Sequence, residues 1–193
     1  MIKARLIQYH NSGEYEKDQA KVINQAMEYL KTRLARERKS SAHEKFAVVL
    51  DIDETSLSNY DDLQAIDFAR VPNTSHDAGN KGTNSVIQPT LNLYRYAKEN
   101  NIAVFFITGR TETSRPATEK NLQQAGFNNW DGLTFKPKNY HEKTAAIYKA
   151  QTREQIEKQG YDIVLNIGDQ QSDLIGGHAD KSFKLPNPYY FIL

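Results

Sequence analysis

The sequence predicts an α/β protein with a doubly wound, mostly parallel sheet, and three observations predict it. Largely apolar runs at 46–50, 102–107 and 161–167 have the length and composition of strands buried on both faces. Helical patterns lie between these runs. Polar side chains suited to catalysis follow each run directly. Strands that alternate with helices in this way form a parallel sheet that helices cover on both faces.

The predicted helices are long enough to cover such a sheet. The first spans residues 14–38, where apolar side chains recur every three or four positions, as on one face of a helix. The three later helices are predicted at 89–100, 112–124 and 142–158. Gly126 is expected to end the helix at 112–124 as a C-cap. Two short strands complete the expected sheet, at 132–135 and 182–185.

Composition excludes several classes of protein. The 193 residues favour a single domain, 1–193. Lysine plus arginine number 25 and aspartate plus glutamate 24, so the formal charge of +1 gives no basic field for a nucleic acid polymer. The absence of cysteine excludes thiol catalysis, cysteine-based zinc sites and disulfides. No run of about 18 apolar residues is present, so no membrane span is expected.

The first ten residues contain too short an apolar stretch for a signal peptide. A cytoplasmic protein would begin in this way, and so would an exported protein whose leader had been left out. Both locations stay open from the residues alone. The sequence indicates no oligomeric state.

One long segment shows neither helical nor strand periodicity. Residues 71–90 are rich in Pro, Asn, Gly, Ser and Thr. Irregular connections of this length are usually functional or mobile. We therefore expect residues 60–90 to form an excursion, a small helical lid beside the carboxyl ends of the strands.

Two aspartates follow the central strand, 46–50, directly. Asp51 and Asp53 are two positions apart, so an extended backbone sends both carboxylates to the same side. Two like charges that close are costly unless a cation or a proton lies between them. Ligands of α/β proteins bind outside the carboxyl ends of the strands, where these residues lie. The alternative is a cluster that caps a following helix, which Asp-x-Asp-x-Thr also fits.

Two other predicted strands end in polar residues, Thr108-Gly109 after one and Asp169 with Asp173 after the other. Lys143 opens the helix at 142–158. In a parallel sheet these groups meet at one edge, where they would form a site for a dianion and a hard divalent cation.

Each of these groups has a structural alternative. Thr108-Gly109 could be only a turn, and Asp173 could only stabilise a helix N-terminus. Lys143 could be solvated, with Lys136 or Lys138 in its place.

Taken together, these motifs resemble the haloacid dehalogenase superfamily. The carriers are Asp-Ile-Asp-Glu-Thr, Ile-Thr-Gly-Arg, a downstream lysine and Gly-Asp-Gln-Gln-Ser-Asp. The second aspartate of the first motif points to the phosphatases of the superfamily. Further stretches, at 9–15, 143–149, 168–174 and 183–190, are similar to the class B, or IIIB-type, acid phosphatases and to plant vegetative storage proteins. The resemblance implies a Rossmann-like fold and an exported protein.

The resemblance implies a role for each residue. Asp51 would attack phosphorus and form an aspartyl-phosphate, while Asp53 would protonate the leaving group and then activate water. Mg²⁺ would bind Asp51, the backbone carbonyl of Asp53 and Asp169. Asp173 would orient Lys143 or a metal-bound water. The phosphoryl oxygens would be held by the hydroxyl, amide and ammonium of Thr108, Gly109 and Lys143.

The expected substrate is a small phosphomonoester. Tyr60 could stack on an aromatic leaving group, although such a ring is more often part of the core. Arg110 could contact substrate or cap the following helix. Two related readings remain: a phosphotransferase, which passes the phosphoryl group to an alcohol, and a storage protein without activity. The presence of both Asp51 and Asp53 counts against storage.

Overall fold

A computed structural model describes residues 2–37, 45–69 and 82–192. Within these ranges the helices are α1 (Ile2–Asn11), α2 (Glu14–Glu37), α3 (Tyr60–Ala65), α4 (Gln88–Glu99), α5 (Arg115–Ala125), α6 (Ala146–Lys158) and α7 (Gln171–Leu174). The strands are β1 (Lys45–Leu50), β2 (Leu57–Ser58), β3 (Ser85–Val86), β4 (Ala103–Thr111), β5 (Gly132–Lys136), β6 (Tyr161–Gly168) and β7 (Lys181–Lys184).

Five of the strands form one parallel sheet in the order β5-β4-β1-β6-β7. The central strand is β1, in which Leu50 lies opposite Phe106 of β4 and Ile167 of β6. The carboxyl ends of β1, β4 and β6 therefore meet at the same edge. The predicted fold class, an α/β fold with a mostly parallel sheet, is confirmed.

The sheet is buried on both faces, and β1 shows how. Phe46, Val48 and Leu50 pack into one apolar cluster, while Ala47 and Val49 pack into another on the opposite face. The first cluster includes side chains of α2 and α4, and the second includes side chains of α6. The α6 face receives the odd-numbered residues of β1.

Helix α6 begins at Ala146, four residues later than predicted. The preceding segment turns instead: the Tyr140 amide donates to the Pro137 carbonyl at 3.1 Å, and its hydroxyl donates to the Thr144 carbonyl at 2.5 Å. Lys143 therefore does not open a helix. The other helices agree with the prediction to within a few residues, and Gly126 ends α5 with a φ of 99°. Helix α1 was not predicted.

The expected excursion at 60–90 is described only at its ends. Helix α3 begins it, and β2 and β3 pair as a short antiparallel ribbon at its base. Residues 70–81, its middle part, lie outside the described residues, so the lid stays a prediction. Among the helices described, none combines the length and apolar character that a membrane crossing requires.

Candidate active site

Three buried aspartates meet at the carboxyl edge of the sheet. Asp51 follows β1, Asp169 follows β6, and Asp173 lies in α7. Each can offer one carboxylate oxygen such that all three oxygens lie within 4.8 Å of one another. Carboxylates this close repel one another unless protons or cations separate them. The cluster can hold a divalent cation.

Asp51 is fixed by backbone contacts at the end of β1. Its amide donates to the Ile167 carbonyl at 2.9 Å, and its carbonyl accepts from the Ser56 hydroxyl at 2.7 Å. Only 6% of the residue is exposed. Burial raises the pKa of the Asp51 carboxyl, the ammonium of Lys149 lowers it, and the neighbouring aspartates raise it further.

Lys149 is the cation of this cluster. It projects from the first turn of α6, and its Nζ donates to Asp51 Oδ1 and to Asp173 Oδ1, both at 2.6 Å. Burial lowers the pKa of Lys149, but the two carboxylates more than offset this and hold the pKa well above its usual value. The ammonium therefore stays charged.

Asp173 is oriented from several sides. Its Oδ2 accepts from the Gln170 amide at 2.8 Å, and its backbone carbonyl accepts from Arg153 Nη1 at 2.8 Å and Asn166 Nδ2 at 3.0 Å. Gly168 permits this approach, because a Cβ there would lie 2.4 Å from the Asp173 Cβ. Both carboxylate oxygens of Asp173 are engaged by protein donors, an arrangement suited to orienting Lys149.

Asp169 is held by neutral donors. Its Oδ2 accepts from Asn187 Nδ2 at 2.7 Å and from the Gln170 side-chain amide, and its Oδ1 accepts from the Thr55 hydroxyl at 3.4 Å. Burial raises the pKa of Asp169 to about 7, and Asp173 adds to the effect. Among the described residues, no lysine, arginine or histidine forms an ion pair with this carboxylate.

Asp53 is held by a buried guanidinium. Arg110, only 1% exposed, donates from Nη2 to Asp53 Oδ1 at 2.8 Å and from Nε to Oδ2 at 3.1 Å. Asn59 Nδ2 donates to the same Oδ1 at 2.8 Å. Arg110 Nη1 reaches the Thr118 hydroxyl at 3.0 Å. These bonds fix the orientation of Asp53, and contact between Arg110 and substrate stays a prediction.

Glu54 is a further buried carboxylate of the loop after β1. It takes a left-handed backbone conformation, with φ of 53°, and is 0% exposed. Its Oε1 accepts from the Asn59 amide at 2.6 Å, and its Oε2 accepts from the Tyr190 hydroxyl and from Asn59 Nδ2. Burial raises the pKa of Glu54 to about 7.

The two remaining phosphate-binding candidates lie in the last part of β4. Thr108 is fully buried; its hydroxyl accepts from the Arg110 amide at 3.1 Å, and its carbonyl accepts from the Tyr148 hydroxyl at 2.8 Å. Gly109 is partly exposed. The strand continues to Thr111 rather than ending before Thr108. Phosphate binding by these two residues stays a prediction.

Tyr60 is part of an aromatic cluster. Its ring stacks on the ring of His10 with 3.4 Å between centroids, and it lies against Phe68 and Tyr189. The residue is 5% exposed. One face of the ring is therefore covered by the protein itself. Stacking on a leaving group is not tested by this arrangement and stays a prediction.

The model of one protein family matches residues 2–193, and its description is haloacid dehalogenase superfamily, subfamily IIIB (acid phosphatase). The chain belongs to this family. The predicted resemblance to the IIIB-type acid phosphatases is confirmed. The family supports a phosphatase, that is, a hydrolase of phosphoric monoesters.

Curated relatives agree with the family. The chain is 36% identical over 191 residues to the stem 28 kDa glycoprotein of Glycine max, a match that covers 96% of this chain and 72% of that protein. It is 39% identical over 153 residues to acid phosphatase 1 of Solanum lycopersicum, covering 75% of this chain and 58% of that protein. The chain thus matches little more than half the length of the tomato protein.

A solved structure supports the fold. The class C acid phosphatase from Bacillus anthracis aligns with a TM-score of 0.79, covering 98% of this chain and 86% of that chain. The sequence identity is 22%. At that level the likeness shows the shared fold.

The structure brings to the aspartates a different lysine from the one that the sequence predicted. The structure leaves Lys143 exposed before α6 and places Lys149 against Asp51 and Asp173. A signal was present: Lys149 is embedded among Ala145, Ala146, Ile147, Tyr148 and Ala150, where a solvated lysine is unexpected. Lys149 was part of the motif at 143–149, but its burial depends on where α6 begins.

Sequence reasoning also missed the residues that hold the aspartates in place. Arg110 was seen but not paired with Asp53. Asn187 and Tyr190 lie in the stretch at 183–190 that carries the family resemblance, but no role was assigned to either of them or to Asn59. Their contacts arise from loops, whose paths no periodicity predicts.

Proposed function

We propose that the protein is a Mg²⁺-dependent phosphomonoesterase that works through an aspartyl-phosphate on Asp51. The observation that supports this most strongly is an imbalance of charge at the edge of the sheet. Asp51, Asp169 and Asp173 converge, and Lys149 is the cation that pairs with two of them. Among the residues that the structure describes, those that donate to the Asp169 carboxylate are all neutral. A buried carboxylate without a cation is costly, and a divalent ion would remove that cost.

The donor set suits Mg²⁺. Mg²⁺ prefers oxygen ligands, accepts one or two carboxylates and keeps several waters. Asp51 and Asp169 would supply the carboxylates, and the backbone carbonyl of Asp53 a third oxygen. When bound, the ion would neutralise charge on the phosphoryl oxygens. Asp173 would stay with Lys149, because short hydrogen bonds of 2.6 and 2.8 Å occupy both of its oxygens. The Oδ1 of Asp169, in contrast, has a weaker contact with the Thr55 hydroxyl at 3.4 Å.

Asp51 would be the nucleophile. Lys149 holds its Oδ1 and so fixes the orientation of the carboxylate. A bond would form between an Asp51 oxygen and phosphorus while the bond from phosphorus to the leaving oxygen breaks. Lys149 would also stabilise negative charge that develops beside it. The Thr108 hydroxyl and the Gly109 amide are proposed as further donors to the phosphoryl group.

Asp53 would move the protons. It would give a proton to the leaving alkoxide, then accept one from the water that attacks the aspartyl-phosphate. Arg110 and Asn59 grip this carboxylate without enclosing it, and its side chain keeps 15% of its exposure. A group that exchanges protons with substrate and water requires such partial access.

The substrate would be a small phosphomonoester. The intact pair Asp51 and Asp53 favours an active enzyme over a storage protein. Relatives named as stem glycoproteins favour export through the secretory pathway over a cytoplasmic location. The oligomeric state has no bearing on the chemistry proposed, because every group named lies in one chain.

The substitution Asp51→Asn tests the proposal. It keeps the volume of the side chain and removes the nucleophile, so turnover of an aryl phosphate should fall by at least about 10⁴-fold while the circular dichroism spectrum is unchanged. Wild-type turnover should disappear with excess chelator and return with Mg²⁺.

The matched control is Asn92→Asp, the reverse exchange at an exposed position of α4. This variant should keep wild-type turnover. Substantial activity in purified Asp51→Asn would contradict the role of Asp51, and turnover that ignores chelator would contradict the role of the metal.

A further inference from the structure

The segment after β7 runs along the catalytic edge of the sheet. We name residues 185–192 the C-terminal tail. It starts beside Asp169: the Leu185 amide donates to the Gly168 carbonyl at 2.9 Å, and Lys184 Nζ donates to the Asp169 carbonyl at 2.8 Å. The tail then makes side-chain contacts with the carboxylates of the site.

Asn187 has its amide orientation set by the tail. Its Oδ1 accepts from the backbone amides of Tyr189 at 2.9 Å and Tyr190 at 3.4 Å. An amide oxygen that faces two N–H donors cannot be exchanged with the nitrogen without placing donors against donors. Asn187 Nδ2 is therefore turned toward Asp169, where it donates to Oδ2 at 2.7 Å.

Gln170 is oriented by the same tail. Its Oε1 accepts from the Ile192 amide at 2.8 Å, which leaves Nε2 as the donor to Asp169 Oδ2. Two side-chain amides from different segments thus converge on one carboxylate oxygen. In both cases a backbone N–H of the tail decides which end of the amide faces Asp169.

We propose that the C-terminal tail is a positioning element of the metal site, and that it acts through Asn187 and Gln170. The inference rests on the proposed function. With Oδ2 of Asp169 occupied by two strong donors, Oδ1 remains, and its contact is the Thr55 hydroxyl at 3.4 Å. Oδ1 is therefore the oxygen presented to the divalent cation, at an orientation fixed before the ion arrives.

Neutral donors are suited to this task. An ammonium or guanidinium on Asp169 would compete with the metal for the charge of the carboxylate, whereas amides hold the group and leave its charge available. Loss of such outer contacts typically weakens metal affinity by about 10- to 100-fold. The expected consequence is weaker Mg²⁺ binding rather than a slower chemical step.

The same tail reaches the carboxylates after β1. The Tyr190 hydroxyl donates to Glu54 Oε2, and Glu54 holds Asn59, which in turn donates to Asp53 Oδ1. The tail therefore contacts both sides of the proposed site. Its Asn187 contact is the one that bears directly on a proposed metal ligand.

The test compares Asn187→Ala and Gln170→Ala with the wild type by calorimetric Mg²⁺ titration of the full chain. Each variant removes one donor to Asp169, so the Mg²⁺ dissociation constant should rise by about 10- to 100-fold. At saturating Mg²⁺, kcat should stay within about threefold of the wild type, because a high concentration of the ion fills the weakened site. A merely structural defect would not be rescued in this way. Asn92→Ala makes the same change on the exposed surface of α4 and should bind Mg²⁺ as the wild type does.

Two results would overturn the inference. One is wild-type Mg²⁺ affinity in both variants. The other is a kcat that stays low at saturating Mg²⁺, whatever the dissociation constant. Either result leaves the proposed function intact, provided that the wild type binds Mg²⁺ and needs it for turnover. A wild type that binds no Mg²⁺ would instead overturn the proposed function, and the inference with it.

Discussion

Asp53 and Asp169 lie at the same edge of the sheet but are held in opposite ways. Asp53 accepts hydrogen bonds from the guanidinium of Arg110, a fixed positive charge. Asp169 accepts hydrogen bonds from neutral groups, chiefly the side-chain amides of Gln170 and Asn187. One carboxylate thus has its charge compensated by the protein, and the other does not.

This difference indicates a division of labour. The guanidinium of Arg110 compensates the charge of Asp53 and fixes the direction of its carboxylate. A buried carboxylate that accepts hydrogen bonds from neutral groups is not compensated in charge, so a bound cation would stabilise it. The proposed proton transfer therefore belongs to Asp53, and metal binding to Asp169. Lys149 connects the residues that follow β1 with those that follow β6, since it pairs with both Asp51 and Asp173.

After Asp51→Asn, the largest effect is expected from Lys149→Met. The substitution keeps much of the side-chain volume but leaves Asp51 and Asp173 without their shared cation. We expect kcat on an aryl phosphate to fall by about 10²- to 10³-fold. We also expect the free energy of unfolding to fall by about 3–5 kcal/mol, as when one partner of a buried ion pair is removed. Steady-state kinetics and urea unfolding measure both quantities.

Lys143→Met is the matched control for this prediction. It makes the same change at the exposed lysine that the sequence first suggested. Its kcat and unfolding midpoint should both stay close to the wild-type values. A large loss of kcat in Lys143→Met with little loss in Lys149→Met would reverse the assignment.

Arg110→Lys addresses the Asp53 side and should have the next largest effect. Lysine keeps the charge but lacks the planar fork that contacts both oxygens of Asp53. We expect kcat to fall by about 10- to 100-fold, because the proton donor is no longer held in one direction. Arg115→Lys is the control: Arg115 forms similar bonds to Glu112, but its side chain is 35% exposed. Equal losses of kcat in both variants would contradict a specific role for Arg110 in orienting Asp53.

Much of this arrangement could be predicted from the sequence, because it follows from local pattern. The apolar runs marked the strands, and parallel strands bring their carboxyl ends together. The sequence therefore predicted that four aspartates meet at one edge of the sheet: Asp51, Asp53, Asp169 and Asp173. Their convergence depends on topology, which the alternation of strands and helices sets.

The cations and amides that serve these aspartates could not be predicted in the same way. Lys149, and not Lys143, contacts the aspartates because α6 starts after a turn at 137–140. A shift of a few residues in the start of the helix changes which lysine faces the sheet. Asn187 reaches Asp169 from a tail without regular structure. Helix boundaries and tail paths depend on tertiary contacts, which no local pattern encodes.

The raised pKa values of the buried carboxylates Glu54 and Asp169 should also make the stability of the protein depend on pH. Burial raises the pKa of Glu54 to about 7, so the folded state keeps a proton that the unfolded state releases near its ordinary pKa. In metal-free protein this contribution is present at low pH and is lost as pH rises through about 7. The loss is on the order of 3 kcal/mol. Asp169, also raised to about 7, acts with the same sign.

Urea unfolding in chelator, at about pH 5 and about pH 7.5, measures this loss. Glu54→Gln should flatten the dependence in part, since Asp169 still contributes. Mg²⁺ should restore stability more at the higher pH, where its ligands are deprotonated. Metal-free protein that gains stability between the two pH values would contradict the shifts assigned to both carboxylates.

The smallest effect is expected from Tyr60→Phe, next to the asparagine that holds Asp53. The Tyr60 hydroxyl is buried and, among the described residues, has no hydrogen-bond partner. Deleting an unsatisfied buried group removes a desolvation cost, so urea unfolding should show a gain of up to about 1 kcal/mol. Turnover of aryl and alkyl phosphates should change by less than about twofold, because His10 already covers one face of the ring.

Tyr148→Phe is the matched control, since it deletes a hydroxyl that donates to the Thr108 carbonyl at 2.8 Å. This variant should lose about 1 kcal/mol, because a buried carbonyl is left without its donor. The same chemical change should therefore have opposite signs at two tyrosines. If Tyr60→Phe instead weakened only aryl phosphate binding, the hydroxyl would contact substrate, and the leaving group would lie on the Asp53 side of the site.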